Sequence, residues 1–365
     1  MLNMKIRWAV AALLTILTSS GCSDAASPSL TPAAVRTEEK VIVGNFTQEK
    51  VLTFKYAIPD TFKRFFAESE PGPFIPGLKQ GLVPQGLAYY AERNWLIVSS
   101  YRNDGAPSVL FIIDFATNKL VKSLLLYDNS LLPYKGHAGG IAVSSRHLWV
   151  GGENLVRALP LEALVKAGDG SKVSFSSSFR PETKASFVSY SDGVLWVGDY
   201  FNATKDPSHT TDRHKQKTTD NKEYNAWAVG YRLDPGTDNI PKYAPVDDKR
   251  TVPDLILSIP DKIQGFVIHR GQVVLSQSAG TTNPSYLLKY RDFRKEPESA
   301  SVTLGGRVVP IWILDGSKQA DRLAMPPMSE GVDVMRDRLV VLFESAAEPY
   351  RRAANYLVDQ LIYLN

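Results

Sequence analysis

Apolar and polar residues alternate along most of this chain in short runs, and the runs come in pairs. A small phrase, usually holding glycine, opens the first run of each pair: Pro84-Gln85-Gly86-Leu87-Ala88, Ala138-Gly139-Gly140-Ile141-Ala142, Lys184-Ala185-Ser186-Phe187-Val188, Ile263-Gln264-Gly265-Phe266-Val267 and Ser329-Glu330-Gly331-Val332-Asp333. After a tight polar turn the second run follows: Trp95-Leu96-Ile97-Val98, Leu148-Trp149-Val150, Leu195-Trp196-Val197, Gln272-Val273-Val274-Leu275 and Leu339-Val340-Val341-Leu342. Alternation with period two marks strands, and self-similarity at intervals of tens of residues marks a repeat. Five such units predict an all-β chain folded as a five-bladed β-propeller.

Each blade needs four strands. Third and fourth strands are expected within residues 109–126, 155–179, 226–259 and 286–323. Residues 161–166 carry a helical pattern inside the second unit. The run at residues 50–58 alternates but precedes the first repeat, and residues 360–364 end the chain before their blade is complete. Pairing an N-terminal strand with the C-terminal one closes the ring and removes two exposed edges. Residues 299–326 hold two further apolar runs, so a sixth blade is open on the sequence alone.

Turns inside the pairs are short, whereas the loops after the second runs, at residues 102–108, 199–225, 277–285 and 344–359, are long and charged. In a four-stranded meander those loops lie on the same face as the entry to the first strand. One mouth of the ring is therefore the expected binding face. The register brings to it Gln85, Gln264, Glu330 and His137 from the first strands, and Tyr101, Arg102, Glu153, Asn154, Asp199, Tyr200, Gln277 and Glu344 from the second. Glycines beside Gln85, Gln264 and Glu330 suit strands crowded about an axis.

The carboxylates Glu153, Asp199, Glu330 and Glu344 include candidate acid/base pairs, with His137 as a further catalytic candidate. Glycoside hydrolysis needs two such carboxyls about the scissile bond. The same residues suit binding without chemistry, and the glutamines and Glu330 also suit a structural role, satisfying buried backbone groups. His209 and His214 lie in a hydrophilic stretch without metal-ligand spacing and are expected in a solvated loop; His147 and His269 are expected exposed on the opposite face. Tyr350-Arg351-Arg352-Ala353-Ala354-Asn355-Tyr356 could hold an anion on the mouth, since arginine offers a planar fork. Nucleophile elbows, phosphate-binding glycine loops and dinucleotide fingerprints are absent from the sequence.

A formal charge of +4 with interleaved acids and bases gives no basic face, so nucleic acid is not an expected partner. Lys5 and Arg7 precede an apolar stretch from Trp8 to Leu17, too short to span a bilayer and suited to a signal peptide. Cys22 is the only cysteine, so no internal disulfide can form. Ser19-Ser20-Gly21-Cys22 resembles the lipobox of bacterial lipoproteins, which implies a lipid on Cys22. The expected organisation is a signal peptide at residues 1–21, a flexible tether at 22–40 and one propeller at 41–365. The location implied is the bacterial cell envelope, extracytoplasmic and membrane-anchored. If the cell is Gram-negative the outer membrane is favoured, because Asp24 does not directly follow the cysteine.

Pro84-Gln85-Gly86, Val98-Ser99-Ser100-Tyr101 and Gly136-His137-Ala138-Gly139-Gly140 together resemble a group of bacterial secreted propellers and lipoproteins of unassigned activity. That resemblance covers mainly the first two blades and implies export, without catalytic residues to carry over. More distantly the chain is similar, at Glu330-Gly331, to six-bladed lactonase and gluconolactonase-like propellers. These imply Ca²⁺ held by oxygen ligands, here Glu330 with Gln85, Gln264 and Asp199. The expected function is ligand or partner binding at the mouth of a lipid-anchored propeller; the alternative is a hydrolase of glycans or lactones there, with Ca²⁺ as an optional cofactor.

Overall fold

The computed structural model describes residues 40–53, 55–128, 131–204 and 211–365. Residues 1–39, which hold the expected signal segment and Cys22, lie outside the described residues, as does His209. The alternating runs form five meanders. Blade 1 comprises Leu82–Tyr90, Trp95–Arg102, Val109–Asp114 and Lys119–Tyr127; blade 2 comprises Gly140–Val143, His147–Gly152, Leu155–Pro160 and Ser177–Phe179. Blade 3 is Phe187–Ser191, Val194–Gly198, Ala226–Arg232 and Leu255–Ile259, and blade 4 is Ile263–His269, Gln272–Gln277, Ser285–Tyr290 and Gln319–Met325. Blade 5 joins Ser329–Met335, Arg338–Phe343 and Gln360–Leu364 to Ser69–Phe74. The first strands of all five neighbour one another around the axis, blade 5 returning to blade 1.

Period-two alternation explains why the ring holds together. Successive side chains of a strand point to opposite faces, so each blade feeds two different cores. In blade 1, Leu96 and Val98 pack towards Val340 and Leu342 of blade 5, while Ile97 packs towards Ile141 and Val150 of blade 2. In blade 3, Leu195 and Val197 meet Trp149 and Val156 of blade 2, while Trp196 meets Phe266 and Leu275 of blade 4. A fifth core between blades 4 and 5 completes the circle with Val274, Leu323, Val341 and Phe343. Five blades and five inter-blade cores are the same count reached independently.

Crowding at the axis explains the glycines. A Cβ on Gly140 would lie 2.3 Å from the Val188 nitrogen, and one on Gly265 would lie 2.9 Å from the Glu330 oxygen. On the face away from the long loops, blades 3, 4 and 5 turn through Asp192-Gly193, Arg270-Gly271 and Arg336-Asp337, both residues of each pair having positive φ. Such two-residue turns match the twist of their strands.

Two expectations need correction. Residues 50–58 do not form the closing strand; the backbone nitrogens of Val51 and Leu52 instead bind the Asp359 carboxylate at 2.7 and 2.9 Å. Ring closure falls to Ser69–Phe74, antiparallel to Gln360–Leu364. Pro71 and Pro73 are tolerated because this is the outermost strand of the blade, where no further ladder bond is required. Nor do residues 299–326 start a sixth blade. Ala300–Leu304 and Arg307–Ile313 form a hairpin that lies parallel against Leu255–Ile259 and covers the outer edge of blade 3. Leu161–Lys166 is helical, as the pattern predicts.

Candidate functional site

The polar residues of the repeated phrase sit at irregularities in the inner strands. The pairing of first and second strands slips between Pro84 and Leu87, between Ile263 and Gly265, and between Ser329 and Val332. A β-bulge of this kind re-aims side chains and breaks the ladder locally. Gln85, Gln264 and Glu330 are the residues displaced, and they come from blades 1, 4 and 5, which adjoin around the axis.

Gln85 and Glu330 meet Glu344, which follows the second strand of blade 5, and Gln264 meets Glu330. Glu330 and Glu344 hydrogen-bond to one another. The Gln264 amide donates to Glu330 Oε1 at 3.0 Å, and the Gln85 amide donates to Glu344 Oε2 at 3.0 Å. Glu330 exposes only 2% of its surface. Burial, reinforced by the adjacent Glu344 charge and hydrogen bond, pushes its carboxyl well above the usual range, against the lowering effect of Gln264. A buried carboxyl beside a second one cannot ionise independently of it.

A third carboxylate, Glu153, stands across the mouth. Glu153 accepts from the Tyr134 hydroxyl at 2.6 Å and from the His137 backbone nitrogen at 2.9 Å, with the His137 ring 3.5 Å away. Partial burial pushes its carboxyl up, but the bonds from His137 and Tyr134 and the nearby Arg157 outweigh this and hold it down at about 2. The same contact raises His137, burial opposing. Tyr101 joins the two sides, its ring 4.7 Å from that of His137 and its hydroxyl 2.9 Å from that of Tyr350.

Two hollows open between these groups. The larger, about 410 Å³, is walled by Gln85, His137, Glu153, Asn154, Lys184 and Tyr200 among others. The smaller, about 150 Å³, is walled by Ser278, Glu330, Glu344 and Tyr350, and shares Tyr200 and Gln264 with the larger. The pair therefore forms a two-lobed mouth, with a His–Glu pair in one lobe and a carboxyl pair in the other.

Other predicted residues face elsewhere. Asp199 is 1% exposed and lies behind the mouth, accepting from the Lys184 backbone nitrogen at 2.7 Å and facing His214 Nδ1 at 2.9 Å. Arg102 turns outward onto Asp104, and Gln277 donates to the Asp261 carbonyl at 2.9 Å. Arg351 donates to the Leu78 carbonyl at 2.6 Å, so this part of the basic cluster is spent on the backbone. His214 is not in a solvated loop: it is buried, stacks on Trp227 at 4.0 Å, and ties the long insertion of blade 3 to the ring. Burial pushes its imidazole down, but the Asp199 contact and the Glu182 carboxylate 3.7 Å from Nε2 outweigh this and raise it. His147 is buried too, with Nδ1 3.2 Å from Asp238 Oδ2, while His269 is half-buried near Asp337. Lys184 opens one of the repeated phrases and Ser278 lies in one of the long loops, but neither they nor Tyr134 was singled out by sequence as a site residue.

Of the four oxygen donors expected for calcium, Asp199 is engaged elsewhere, both glutamines present their amide nitrogens to the carboxylates, and Glu330 shares a hydrogen bond with Glu344. Among the described residues, no group of three or more His, Cys, Asp or Glu side chains is placed to hold a metal ion.

Fold and mouth together define a five-bladed β-propeller with a polar, one-sided pocket. Solved structures similar to it include the glutaminyl cyclase of Myxococcus xanthus (11% identity, TM-score 0.38, covering 81% of this chain and 93% of that one). Others are a putative oxidoreductase (glucose dehydrogenase) from Thermus thermophilus (11%, 0.39, 81% and 99%) and a GH43_1 enzyme from Xanthomonas citri (9%, 0.41, 84% and 93%). No protein-family model matches the chain, and no curated protein matches it significantly.

Proposed function

We propose that this is an extracytoplasmic propeller, tethered to a membrane through a lipid on Cys22, whose mouth binds a small polar ligand. The observation that carries the ligand site is the convergence of Gln85, Gln264, Glu330 and Glu344 beside the two lobes that share Tyr200. Hydrogen-bonding groups of both kinds, with tyrosines to supply apolar faces, suit a molecule rich in hydroxyl or carbonyl groups. The test is a ligand-observed NMR screen of monosaccharides, disaccharides, lactones and dipeptides against the wild type, Gln264→Ala and Tyr200→Ala. Binders are expected and are expected to be lost in both variants; no binder, or binding that survives both substitutions, would refute the site. The anchor is tested by Cys22→Ser, which should release the protein from the membrane fraction. A second reading, a hydrolase at the same mouth, is favoured by the carboxyl pair lining the smaller lobe.

A further inference from the structure

We infer that Glu330 and Glu344 are an acid/base dyad that hydrolyses a carbonyl-centred bond, a lactone or an ester, in the smaller lobe, and not a glycosidic bond. The inference rests on the mouth being the ligand site. Its first support is spacing. Carboxyls that cleave glycosides stand about 5–5.5 Å or about 6.5–9.5 Å apart, with the sugar between them. Glu330 and Glu344 touch through a hydrogen bond, so no sugar fits between. Two carboxyls in contact suit another chemistry, in which one holds a proton, the other does not, and both act from one side on a carbonyl and its attacking water.

The second support is how the two are held. Both belong to blade 5, Glu330 on the bulge of the inner strand and Glu344 just beyond the end of the second. An amide from blade 4 fixes Glu330 and an amide from blade 1 fixes Glu344, both at 3.0 Å. Each carboxyl is thus oriented by a neighbour that neither adds nor removes charge. A purely structural acid is available for contrast on the same strand. Asp333 accepts the backbone N–H groups of Tyr89 and Val334 at 2.7 and 2.8 Å, and so satisfies main-chain donors. Among the described residues no main-chain partner of that kind explains Glu330, whose hydrogen bonds to Gln264 and Glu344 are with side chains that line the mouth. Burial and the Glu344 charge push its carboxyl well above the usual range.

The steps balance without any further reactant. Water attacks the carbonyl carbon as Glu344 takes its proton, and Glu330 passes its own proton to the carbonyl oxygen, giving a neutral tetrahedral diol. The bond from carbon to the leaving oxygen then breaks as Glu344 returns its proton to that oxygen. One diol hydroxyl gives its proton to Glu330, leaving a carboxylic acid, an alcohol and the dyad in its starting state.

The experiment uses the lactones of the binding screen, δ-valerolactone and dihydrocoumarin, with p-nitrophenyl acetate as an ester and p-nitrophenyl β-glucoside as the contrasting bond. Lactone binding is followed by ligand-observed NMR beside turnover in the wild type, Glu330→Gln, Glu344→Gln and Asp333→Asn. Expected are a bell-shaped pH–rate profile in the wild type, a loss of about 100-fold or more in either glutamine variant, unchanged turnover in Asp333→Asn, and no cleavage of the glucoside. Thermal unfolding of each variant separates lost chemistry from lost fold. Lactones that bind without being hydrolysed overturn the dyad and leave the ligand site standing. Neither binding nor hydrolysis overturns both. Cleavage of the glucoside, or hydrolysis that survives both glutamine substitutions, overturns the dyad.

Discussion

The inner strand of blade 5 carries two acids three residues apart, Glu330 buried and Asp333 half-buried, and they meet opposite fates. Glu330 sits on a bulge at the end with long loops, where its partners are the side chains of Glu344 and Gln264. Asp333 lies beyond the bulge at the end with tight turns, where two backbone nitrogens satisfy it inside an axial hollow of about 240 Å³ walled by Tyr89, Val143, Ser189, Tyr190 and Val332 among others. Both carboxyls are pushed up by burial, Asp333 to about 7 despite the lowering effect of its two backbone bonds. A raised acid therefore does not by itself mark a site. The partners decide: main-chain groups tie an acid to the fold, whereas side chains facing a cavity leave it free to act on a ligand.

The largest expected effect that sharpens this contrast is on turnover, where Glu330→Gln should lose about 100-fold and Asp333→Asn nothing; equal losses would erase the distinction. Next comes stability against pH. Both acids bind their proton more tightly in the folded than in the unfolded chain, so each adds stability that is present at low pH and lost as pH rises. For Asp333 the loss spans its ordinary value of 3.8 to about 7. Asp333→Asn should flatten the unfolding curve from 3.8 to about 7, measured by urea titration at successive pH values, and Glu330→Gln should flatten it from its ordinary value of 4.5 upward; identical slopes in wild type and Asp333→Asn would contradict the assignment.

Smaller effects probe the mouth end alone. Gly265→Ala would press a Cβ to 2.9 Å from the Glu330 oxygen and the Val332 nitrogen, and overpacking of this kind costs about 1–3 kcal/mol. Urea unfolding checks it, and a neutral result would mean that the inner strands can spread at the bulge. Tyr350→Phe removes the hydroxyl contact to Tyr101, a net loss of about 1 kcal/mol visible as a small shift of the same midpoint. The dyad should keep its pH profile in that variant, because the Tyr350 hydroxyl is paired with Tyr101.

Much of this was legible in the alternation. Trp196 flanked by Leu195 and Val197 announces a strand buried on both faces, and the structure buries all three between different blades. Gln85, Gln264 and Glu330 could be picked out because each stands before a glycine that the axis requires. Three features were hidden for physical reasons. Ser69–Phe74 contains Pro71, Gly72 and Pro73 and looks like a loop, since an edge strand need not satisfy the rules of an inner one. The hairpin at Ala300–Leu304 and Arg307–Ile313 has genuine strand sequence, but which sheet it joins is a tertiary choice. Asp199 and His214 lie fifteen residues apart in a polar insertion, and nothing local shows that the insertion folds back to bury both beneath Trp227. The contact of Glu330 with Glu344 was equally invisible, because it depends on the return path of the second strand.

Carboxyl-carbon NMR of the two glutamates across a pH titration tests the central claim most directly. In the wild type one proton should remain shared between Glu330 and Glu344 at neutral pH, with Glu344→Gln shifting the titration of Glu330. Two carboxyls that both ionise in the ordinary acidic range, with Glu330 unmoved by loss of its neighbour, would contradict the account.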